Sequence, residues 1–338
     1  MIVRALTLHA RYACRHRGAC CTASWPIPVE ADRLPALSAA VRDGRLHARS
    51  PLRPLWLEPA DAPEATPARL QFDDRGCVFY ETRNGGRCRI HRVLGHDALP
   101  LACRQFPRVS VIDPRGASVT LSHYCPTAAS LLDDNVAIAI TDDPPSFPAG
   151  TELVGLDVRG GLPPLVAPGM LMDWEAWWDV EARAIQAIAR ADRSPVEALA
   201  TIAAAVERIR TWTPGQGPLS ARVDEAFEAA DARAPRRAAP APPPSIDDVL
   251  SAVPADLRPS RLEPAGSPRA DNLRAFVAAH AFANWTAHLG QGLRSWLRAI
   301  EAAAVLASEL GVRQADLLLR HLADPDALAR VWSRTELD

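Results

Sequence analysis

Apolar residues recur at helical spacing through much of the second half of the chain. One series contains Trp174, Trp177, Trp178, Ala182, Ile185 and Ile188, and a second contains Leu199, Ile202, Val206 and Ile209. Steps of three and four residues place each series on one helix face. Between the two series, Ser194-Pro195 with Glu197 three residues after the serine indicates a helix start with a capping box. We therefore predict a helical region over residues 165–230.

The rest of the second half divides into a connector and a further helical region. Residues 231–270 are rich in Ala and Pro, with several Arg, and this composition is typical of an extended connector. Helical spacing returns from Asp271 to Leu310, with Gly290 and Gly292 as the expected break, and a final helix follows Val312. We expect this C-terminal region, residues 271–338, to pack with the first helical region.

The first 150 residues are interrupted by Pro, Gly and Asp and contain only short periodic runs. Segments 70–72 and 77–80 flank the turn signal Asp73-Asp74-Arg75-Gly76, which predicts a hairpin. Segments 109–112 and 118–121 flank Asp113-Pro114-Arg115-Gly116, which predicts a second one. Residues 90–95 and 99–106 are expected to form short helical turns. The predicted fold class is thus mainly α, with a small irregular α+β cysteine-rich metal-binding region at residues 1–150.

Composition and charge exclude several classes of function. The chain has 338 residues, of which 48% are apolar, so it can bury a substantial core. Its net charge is -2, and no basic stripe suggests a nucleic-acid partner. No run of about 18 apolar residues predicts a membrane span. Arg4 interrupts the only apolar stretch near the N-terminus, so no signal peptide is expected and the predicted location is the cytoplasm.

All seven cysteines lie in the first 125 residues, at Cys14, Cys20, Cys21, Cys77, Cys88, Cys103 and Cys125. In a reducing compartment, grouped cysteines more often bind metal or act in redox chemistry than form structural disulfides. Thiolates are soft ligands that suit zinc, copper(I) and iron–sulfur clusters. We therefore predict that these seven residues are metal ligands.

The spacing of the cysteines argues against an ordinary tetrahedral zinc finger and leaves other zinc, copper(I) and iron–sulfur centres open. Cys20 and Cys21 are adjacent, whereas tetrahedral zinc fingers use Cys-x2-Cys knuckles, and the sequence contains none. The Cys-x3-Cys-x2-Cys spacing of radical S-adenosylmethionine enzymes is also missing. His91, three residues after Cys88, is a candidate mixed ligand, and Arg104 could neutralise a thiolate cluster. The alternative interpretation of the seven cysteines is that they are buried, unreactive residues.

The cysteine motifs resemble those of the flagellin lysine N-methylases, within a wider group of cysteine-cluster proteins described as zinc- or iron-chelating. The resemblance begins at Cys14-x5-Cys20-Cys21-x3-Trp25-x-Ile27 and continues through Cys77, Gly86-Arg87-Cys88-Arg89-Ile90-His91, Leu94-Gly95 and Leu99. It extends through Cys103-Arg104-Gln105-Phe106-Pro107-Arg108 and ends at Ser122-His123-Tyr124-Cys125-Pro126, where Thr127 stands in the place of the family's usual Glu. Asp173-Trp174 and Asp271-Asn272-Leu273-Arg274 resemble its helical blocks.

The resemblance implies an iron–sulfur cluster and transfer of a methyl group from S-adenosylmethionine to a lysine of a protein substrate, which in that family is flagellin. Thr127 puts in doubt any role of the family's Glu in this chain. Two alternatives remain open. One is a non-catalytic protein that chelates zinc or iron, and the other is a zinc-stapled protein-interaction domain.

Methyl transfer requires a neutral amine and a site for the methyl donor. Residues 153–161 contain three glycines but lack the G-x-G-x-x-G spacing, so we expect a plain loop there. His280, Asn284 and His288 follow at intervals of four and would share one helix face, either lining a polar groove or meeting solvent. Trp174, Trp177 and Trp178 could hold a lysine side chain, but we expect an amphipathic core stripe.

Overall fold

A computed structural model describes residues 1–23, 25–49, 55–57, 67–81, 86–147, 152–232, 243–259, 262 and 266–333. The chain forms two compact units. The first, here called the sheet–helix unit, comprises Met1–Tyr12, Arg108–Tyr124 and Ala128–Asp338. The second, the cysteine unit, comprises Ala13–Pro107 and Cys125–Thr127. The predicted 1–150 region is therefore divided between the two units. Its first strand, Val3–Leu6, pairs with its last, Ile140–Asp142, in the sheet–helix unit, and the residues of the cysteine unit lie between these two strands in the sequence.

The sheet–helix unit contains a five-stranded sheet. Its strands, in spatial order, are Ile140–Asp142, Val3–Leu6, Gly116–Leu121, Arg108–Asp113 and Leu156–Asp157. The predicted hairpin at Asp113-Pro114-Arg115-Gly116 is confirmed, with Gly116 paired to Asp113. Val3–Leu6 runs parallel to Gly116–Leu121, where Val3 pairs with Ala117. Every residue of Gly116–Leu121 is buried, as the central strand of a covered sheet requires. A small hairpin, Leu165–Ala167 with Met170–Leu171, follows.

Helices make up most of the described chain, so the mainly α prediction is confirmed. The α-helices of the second half are Trp174–Ala189, Pro195–Arg210, Leu219–Ala232, Ile246–Ser251, Ala270–Ala281, Leu293–Leu317 and Pro325–Ser333. Shorter helical segments are Thr7–His9, Pro126–Ser130, Leu131–Asp133, Pro214–Gln216, Trp285–His288 and Leu318–Leu322. None of the described helices is both long enough and apolar enough to span a membrane.

Side-chain caps explain where the first two long helices begin. The Asp173 carboxylate accepts a hydrogen bond from the Ala176 amide at 2.7 Å. Ser194 and Glu197 form the predicted capping box, because the Ser194 hydroxyl accepts from the Glu197 amide and the Glu197 carboxylate accepts from the Ser194 amide.

Trp177 is buried, and its ring meets that of Trp296 edge-on at 5.7 Å between centroids. This tryptophan therefore belongs to the predicted core stripe.

The predicted connector at 231–270 is only partly described, since residues 233–242 lie outside the described residues. Within the described part, a short helix, Ile246–Ser251, begins with a second capping box formed by Ser245 and Asp248. This helix was not predicted, because the many prolines around it indicated an extended connector.

The C-terminal helical region is interrupted twice. The helix Ala270–Ala281 ends where Ala283 adopts a φ of 53°, and Asn284 then caps a short turn by accepting from the Thr286 amide. His280, Asn284 and His288 therefore do not share one helix face, and that prediction was wrong. The break at Gly290 and Gly292 is confirmed, because the next helix starts at Leu293. A kink follows at Gly311, whose φ is 74° and ψ is 156°.

The cysteine unit is built from short elements, as predicted. Its helical segments are Ala19–Thr22, Leu34–Arg42, Arg89–Leu94, His96–Ala98 and Leu101–Gln105. Strand Ala68–Leu70 lies between Pro28–Val29 and Leu55–Leu57 in a three-stranded sheet. Two further strand pairs are Phe72–Asp73 with Gly76–Cys77, which confirms the first predicted hairpin, and Tyr80–Glu81 with Arg87–Cys88.

Candidate metal centre

The adjacent cysteines lie on a short helical turn. Gly18 precedes the helix Ala19–Thr22 and adopts a φ of 73°, a left-handed conformation that favours glycine. The Cys20 and Cys21 sulfur atoms are 3.9 Å apart. Cys21 is buried and Cys20 is half-buried. The turn thus presents two thiols close together.

A hairpin holds Cys77 against this turn. Cys77 pairs with Phe72 across the strands, and the preceding Gly76 has a φ of 105°. A Cβ atom on Gly76 would overlap the backbone oxygen of Cys21. The absence of a side chain at position 76 therefore permits the close approach of the Cys77 hairpin to the Cys21 turn.

Cys88 reaches the same region through the second strand pair. It pairs with Tyr80 and immediately precedes the helix Arg89–Leu94. The Tyr80 ring packs against Gly18 and Gly86, where any Cβ atom would overlap it. Burial, followed by the charges of Cys21 and Cys20, raises the pKa of Tyr80. Tyr80 is therefore a neighbour of the thiols that sequence analysis did not identify.

Arg49 joins the two hairpins that carry Cys77 and Cys88. Its guanidinium donates to the Tyr80 carbonyl at 3.0 Å and to the Asp73 carboxylate at 3.2 Å. Its backbone amide donates to the Val78 carbonyl at 2.7 Å. No local sequence signal pointed to Arg49, because its partners lie 24 to 31 residues further along the chain.

Cys103 lies on the helix Leu101–Gln105. The Glu30 carboxylate accepts from the Leu101 amide at 3.1 and 3.2 Å and so caps this helix. Burial raises the pKa of Cys103 well above that of an exposed thiol, and the charges of Cys20, Cys88 and Cys77 raise it further. Arg104, predicted to neutralise the cluster, is half-buried on the same helix.

Proton sharing links three of the thiols. Hydrogen bonds to Cys20 and Cys88 raise the pKa of the Cys21 thiol, so Cys21 retains its proton and donates it. The same interaction lowers the pKa of Cys20, and it lowers that of Cys88 to about 7. Burial raises the pKa of Cys77 to about 12, with added effects of Cys88 and Cys20. Cys20, Cys21, Cys77, Cys88 and Cys103 thus form one interacting group, here called the thiol cluster.

The two remaining cysteines occupy different environments. Cys14 is exposed, and its sulfur atom accepts from the His16 amide at 3.4 Å. Cys125 is buried and belongs to the cysteine unit, although it lies beyond Pro107 in sequence. His91 lies between two other histidines, with ring centroids 5.4 Å from His16 and 5.9 Å from His96. All seven cysteines fall within the described residues, and none of them forms a disulfide.

Within the described part of the chain, no group of three or more His, Cys, Asp or Glu side chains is arranged to hold a single metal ion. Within the thiol cluster, the Cys20 and Cys21 sulfur atoms are 3.9 Å apart, and the Cys77 hairpin meets the Cys21 backbone at Gly76.

A second group of polar side chains is buried in the sheet–helix unit around Asp316. The Asp316 carboxylate accepts from the Ser122 hydroxyl at 2.5 Å, from His280 at 3.1 Å and from Arg320 at 3.1 Å. His321 lies 2.7 Å from the Ser122 hydroxyl oxygen. The His9 and His123 Nε2 atoms are 3.3 Å apart, and His123 Nδ1 is 3.9 Å from Asp316. We call these seven residues the Asp316 cluster.

Only part of the Asp316 cluster could be recognised in the sequence. His280 was singled out for a helix face that does not exist, and Ser122 and His123 entered only through the family motif. Asp316 and Arg320 are spaced four residues apart, which is also typical of an exposed ion pair on a helix surface. A hint was available in Ala315 and Leu318, whose apolar character indicates that this turn is covered.

The tryptophans and the glycine-containing loop have structural roles. The Arg115 guanidinium lies 4.6 Å from the Trp178 ring centroid, and the Trp178 indole donates to Asp113 at 3.2 Å. Residues Leu156–Asp157 of the predicted loop form the edge strand beside Arg108–Asp113. These contacts account for both sequence features without a ligand.

No known protein family, curated protein sequence or solved structure matches this chain.

Proposed function

We propose that the cysteine unit binds an iron–sulfur cluster through the thiol cluster, with its ligands drawn from Cys20, Cys21, Cys77, Cys88 and Cys103. The observation that carries this proposal is the gathering of five buried or half-buried thiols from four separate segments, in which the Cys20 and Cys21 sulfur atoms are 3.9 Å apart and Gly76 brings the Cys77 hairpin against Cys21. Thiols without a cation are costly to gather in this way, because each thiolate raises the pKa of its neighbours.

The chemistry of these residues fits a metal. Cys21 shares its proton with two neighbouring sulfur atoms, and a bound cation would replace such protons. Sulfur is the donor that iron–sulfur clusters use, commonly as four cysteine thiolates. Adjacent cysteines suit a centre with several metal atoms better than a single tetrahedral zinc. When bound, the cluster would supply either structural support or Lewis-acid chemistry to this region.

The proposed activity is methylation of a lysine on another protein by S-adenosylmethionine, in the manner of the flagellin lysine methylases. This step rests on the sequence motifs around the cysteines, including Gly86-Arg87-Cys88 and Cys103-Arg104-Gln105. The chain itself contains no lysine, so a lysine acceptor must belong to another protein. Seven cysteines that form no disulfide also suit the reducing cytoplasm proposed as its location.

Labelled methyl transfer tests the proposed activity. The anaerobically purified protein is incubated with S-adenosylmethionine carrying a deuterated methyl group and with flagellin as the probe acceptor. Mass spectrometry of the acceptor should then show labelled lysine. Because the enzyme has no lysine, labelling of its own side chains cannot be mistaken for product. If an iron-loaded preparation labels no acceptor lysine, methylation of flagellin is contradicted and the chelating protein becomes the better account.

Cysteine variants connect that activity to the thiol cluster. Cys88→Ala should lose both iron and methyl transfer, whereas Cys14→Ala, which removes an exposed thiol, should keep both. Transfer that persists in Cys88→Ala without iron would separate the activity from the cluster.

A further inference from the structure

We propose that the Asp316 cluster is an acid-sensitive latch, which holds residues 312–333 against the rest of the sheet–helix unit at neutral pH and releases them when His9, His280 or His321 gains a proton. The proposed function uses none of these side chains, so the latch stands independently of the metal centre.

Four hydrogen bonds hold the Asp316 carboxylate in place. Asp316 is fully buried, and one carboxylate oxygen accepts from His280 and Arg320 while the other accepts from Ser122 and from the Tyr124 amide at 3.3 Å. An ionised carboxylate only accepts, so the Ser122 hydroxyl donates its single proton to it. His321 must then donate its own proton to the Ser122 oxygen. The two bonds from histidines therefore fix ring orientations, because His280 and His321 each need a proton on Nε2 to donate.

The latch joins different parts of the unit. Asp316 lies on the turn after the Gly311 kink, and Arg320 and His321 follow on the next turn. Their partners lie elsewhere. Ser122 follows the central strand Gly116–Leu121, and His280 is in the helix Ala270–Ala281. Two further contacts support the join. Arg320 donates to the Ala279 carbonyl at 3.0 Å, and Arg313 donates to the Tyr124 carbonyl at 3.1 Å.

Gly311 provides a pivot for this segment. Its φ of 74° and ψ of 156° are not helical and interrupt the helix Leu293–Leu317 five residues before Asp316. Such a kink lowers the number of helical hydrogen bonds that connect the two sides. The segment can therefore separate at this point without unwinding the helix before it, whose buried face includes Trp296 and Ile300.

The charges that face the latch determine its response to pH. At neutral pH the cluster contains the Asp316 carboxylate, the Arg320 guanidinium and four neutral imidazoles, those of His9, His123, His280 and His321. Burial, with the charge of Arg320 next, lowers the pKa of His280 to about 4. Burial also lowers the pKa of His321 to about 4 and that of His9 well below its usual value. The His9 Nδ1 atom is buried and has no hydrogen-bond partner among the described residues.

The direction of the effect follows from these shifts. A released segment exposes histidines with ordinary pKa values of about 6.5, so the open form binds more protons than the closed form below that pH. The latch is thus fully effective above about pH 6.5 and weakens as the pH falls toward 4. The Asp316 carboxylate gains its own proton only at a lower pH than the histidines. Although burial alone would raise the pKa of Asp316, His280 and Arg320 hold it well below its usual value.

Hydrogen exchange measured peptide by peptide tests the latch on the full protein. Protection in residues 312–333 should fall about tenfold per pH unit for each proton taken up between about pH 6.5 and pH 5, after correction for the intrinsic rate. The helices Trp174–Ala189 and Pro195–Arg210 should keep their protection over the same range. Equal loss in all three segments would indicate general acid unfolding and overturn the proposal, and so would no loss in any segment.

Variants identify the groups responsible. His280→Gln retains a side-chain N–H that can donate to Asp316 but cannot gain a charge, so it should reduce the pH dependence of exchange in residues 312–333. His9→Gln provides a second test if His280→Gln does not fold. His47→Gln, at an exposed histidine in the cysteine unit, is the matched control and should respond to pH as the wild type does. An unchanged pH response in both His280→Gln and His9→Gln would contradict the latch.

Discussion

Gly76 packs so closely against the backbone carbonyl of Cys21 that no other residue fits at position 76. The two residues are more than 50 positions apart in sequence, yet the hairpin that carries Cys77 meets the turn that carries Cys21 at this point. The approach depends on a φ of 105° at Gly76, which side chains disfavour. A single glycine thus brings two parts of the proposed metal centre together.

Replacing Gly76 with alanine should destabilise the cysteine unit and lower its metal content. The left-handed backbone costs about 1 kcal/mol or more for alanine, and the overlap with Cys21 adds about 1–3 kcal/mol. Gly44→Ala is the matched control, since Gly44 has a φ of 69° but its nearest neighbour for a Cβ atom is 3.9 Å away. Urea unfolding and iron analysis of both variants measure the difference. Equal effects of the two substitutions would show that the contact with Cys21 is unimportant.

Alanine at Cys20 or at Cys103 should remove the metal and destabilise the cysteine unit, because metal binding and folding are coupled in such sites. Cys14→Ala should retain metal, since Cys14 is exposed and contacts His16. Metal analysis and thermal melting of the three variants provide the comparison. Full metal content together with wild-type melting in Cys20→Ala or Cys103→Ala would make the ligand assignment wrong.

Asp316→Asn should lower the free energy of unfolding of the sheet–helix unit by about 3–5 kcal/mol at neutral pH. The substitution leaves the buried Arg320 guanidinium without its counter-charge. Asp157→Asn is a suitable control, because its ion pair with Arg159 is exposed to solvent. Denaturant unfolding followed by circular dichroism should show a large loss for the first variant and none for the second. A loss in Asp316→Asn no greater than that in Asp157→Asn would mean that the buried cluster does not stabilise the fold.

Ser194→Ala should cost about 1 kcal/mol, because the Glu197 amide loses the side-chain acceptor at the start of the helix Pro195–Arg210. Ser194→Asp retains an acceptor at this position and should restore most of that stability. Thermal melting of the two variants measures the effect. If Ser194→Ala melted like the wild type, the Ser194 side chain would contribute nothing to the stability of the helix.

Local patterns in the sequence predicted the elements whose signals are local. The turn Asp113-Pro114-Arg115-Gly116 contains its own hairpin signal, and Ser194 with Glu197 contains its own helix start. The division into units could not be predicted in this way. Val3–Leu6 pairs with Gly116–Leu121 and with Ile140–Asp142, both more than 100 residues away, and these pairings place residues 1–12 in the sheet–helix unit rather than with the cysteines that follow.

The candidate sites show the same contrast. Counting cysteines gave seven candidate ligands, which include the five members of the thiol cluster as well as Cys14 and Cys125, because residue type alone carries that chemistry. Sequence patterns could not identify Arg49 or Tyr80, which hairpin geometry places against the segments that carry the cysteines. The predicted face of His280, Asn284 and His288 failed because helical spacing continued past Ala281 while the backbone did not. His280 instead hydrogen bonds to Asp316, 36 residues later.

Iron, sulfide and zinc analysis of the anaerobically purified wild-type protein, with its visible spectrum, tests the proposed cluster most directly. We predict a brown protein with about four irons and four sulfides per chain and broad sulfur-to-iron absorption. One zinc per chain without iron would contradict the iron–sulfur assignment and favour a zinc-stapled domain. A colourless protein without any metal would contradict the metal centre itself and leave the thiol cluster as a buried structural group.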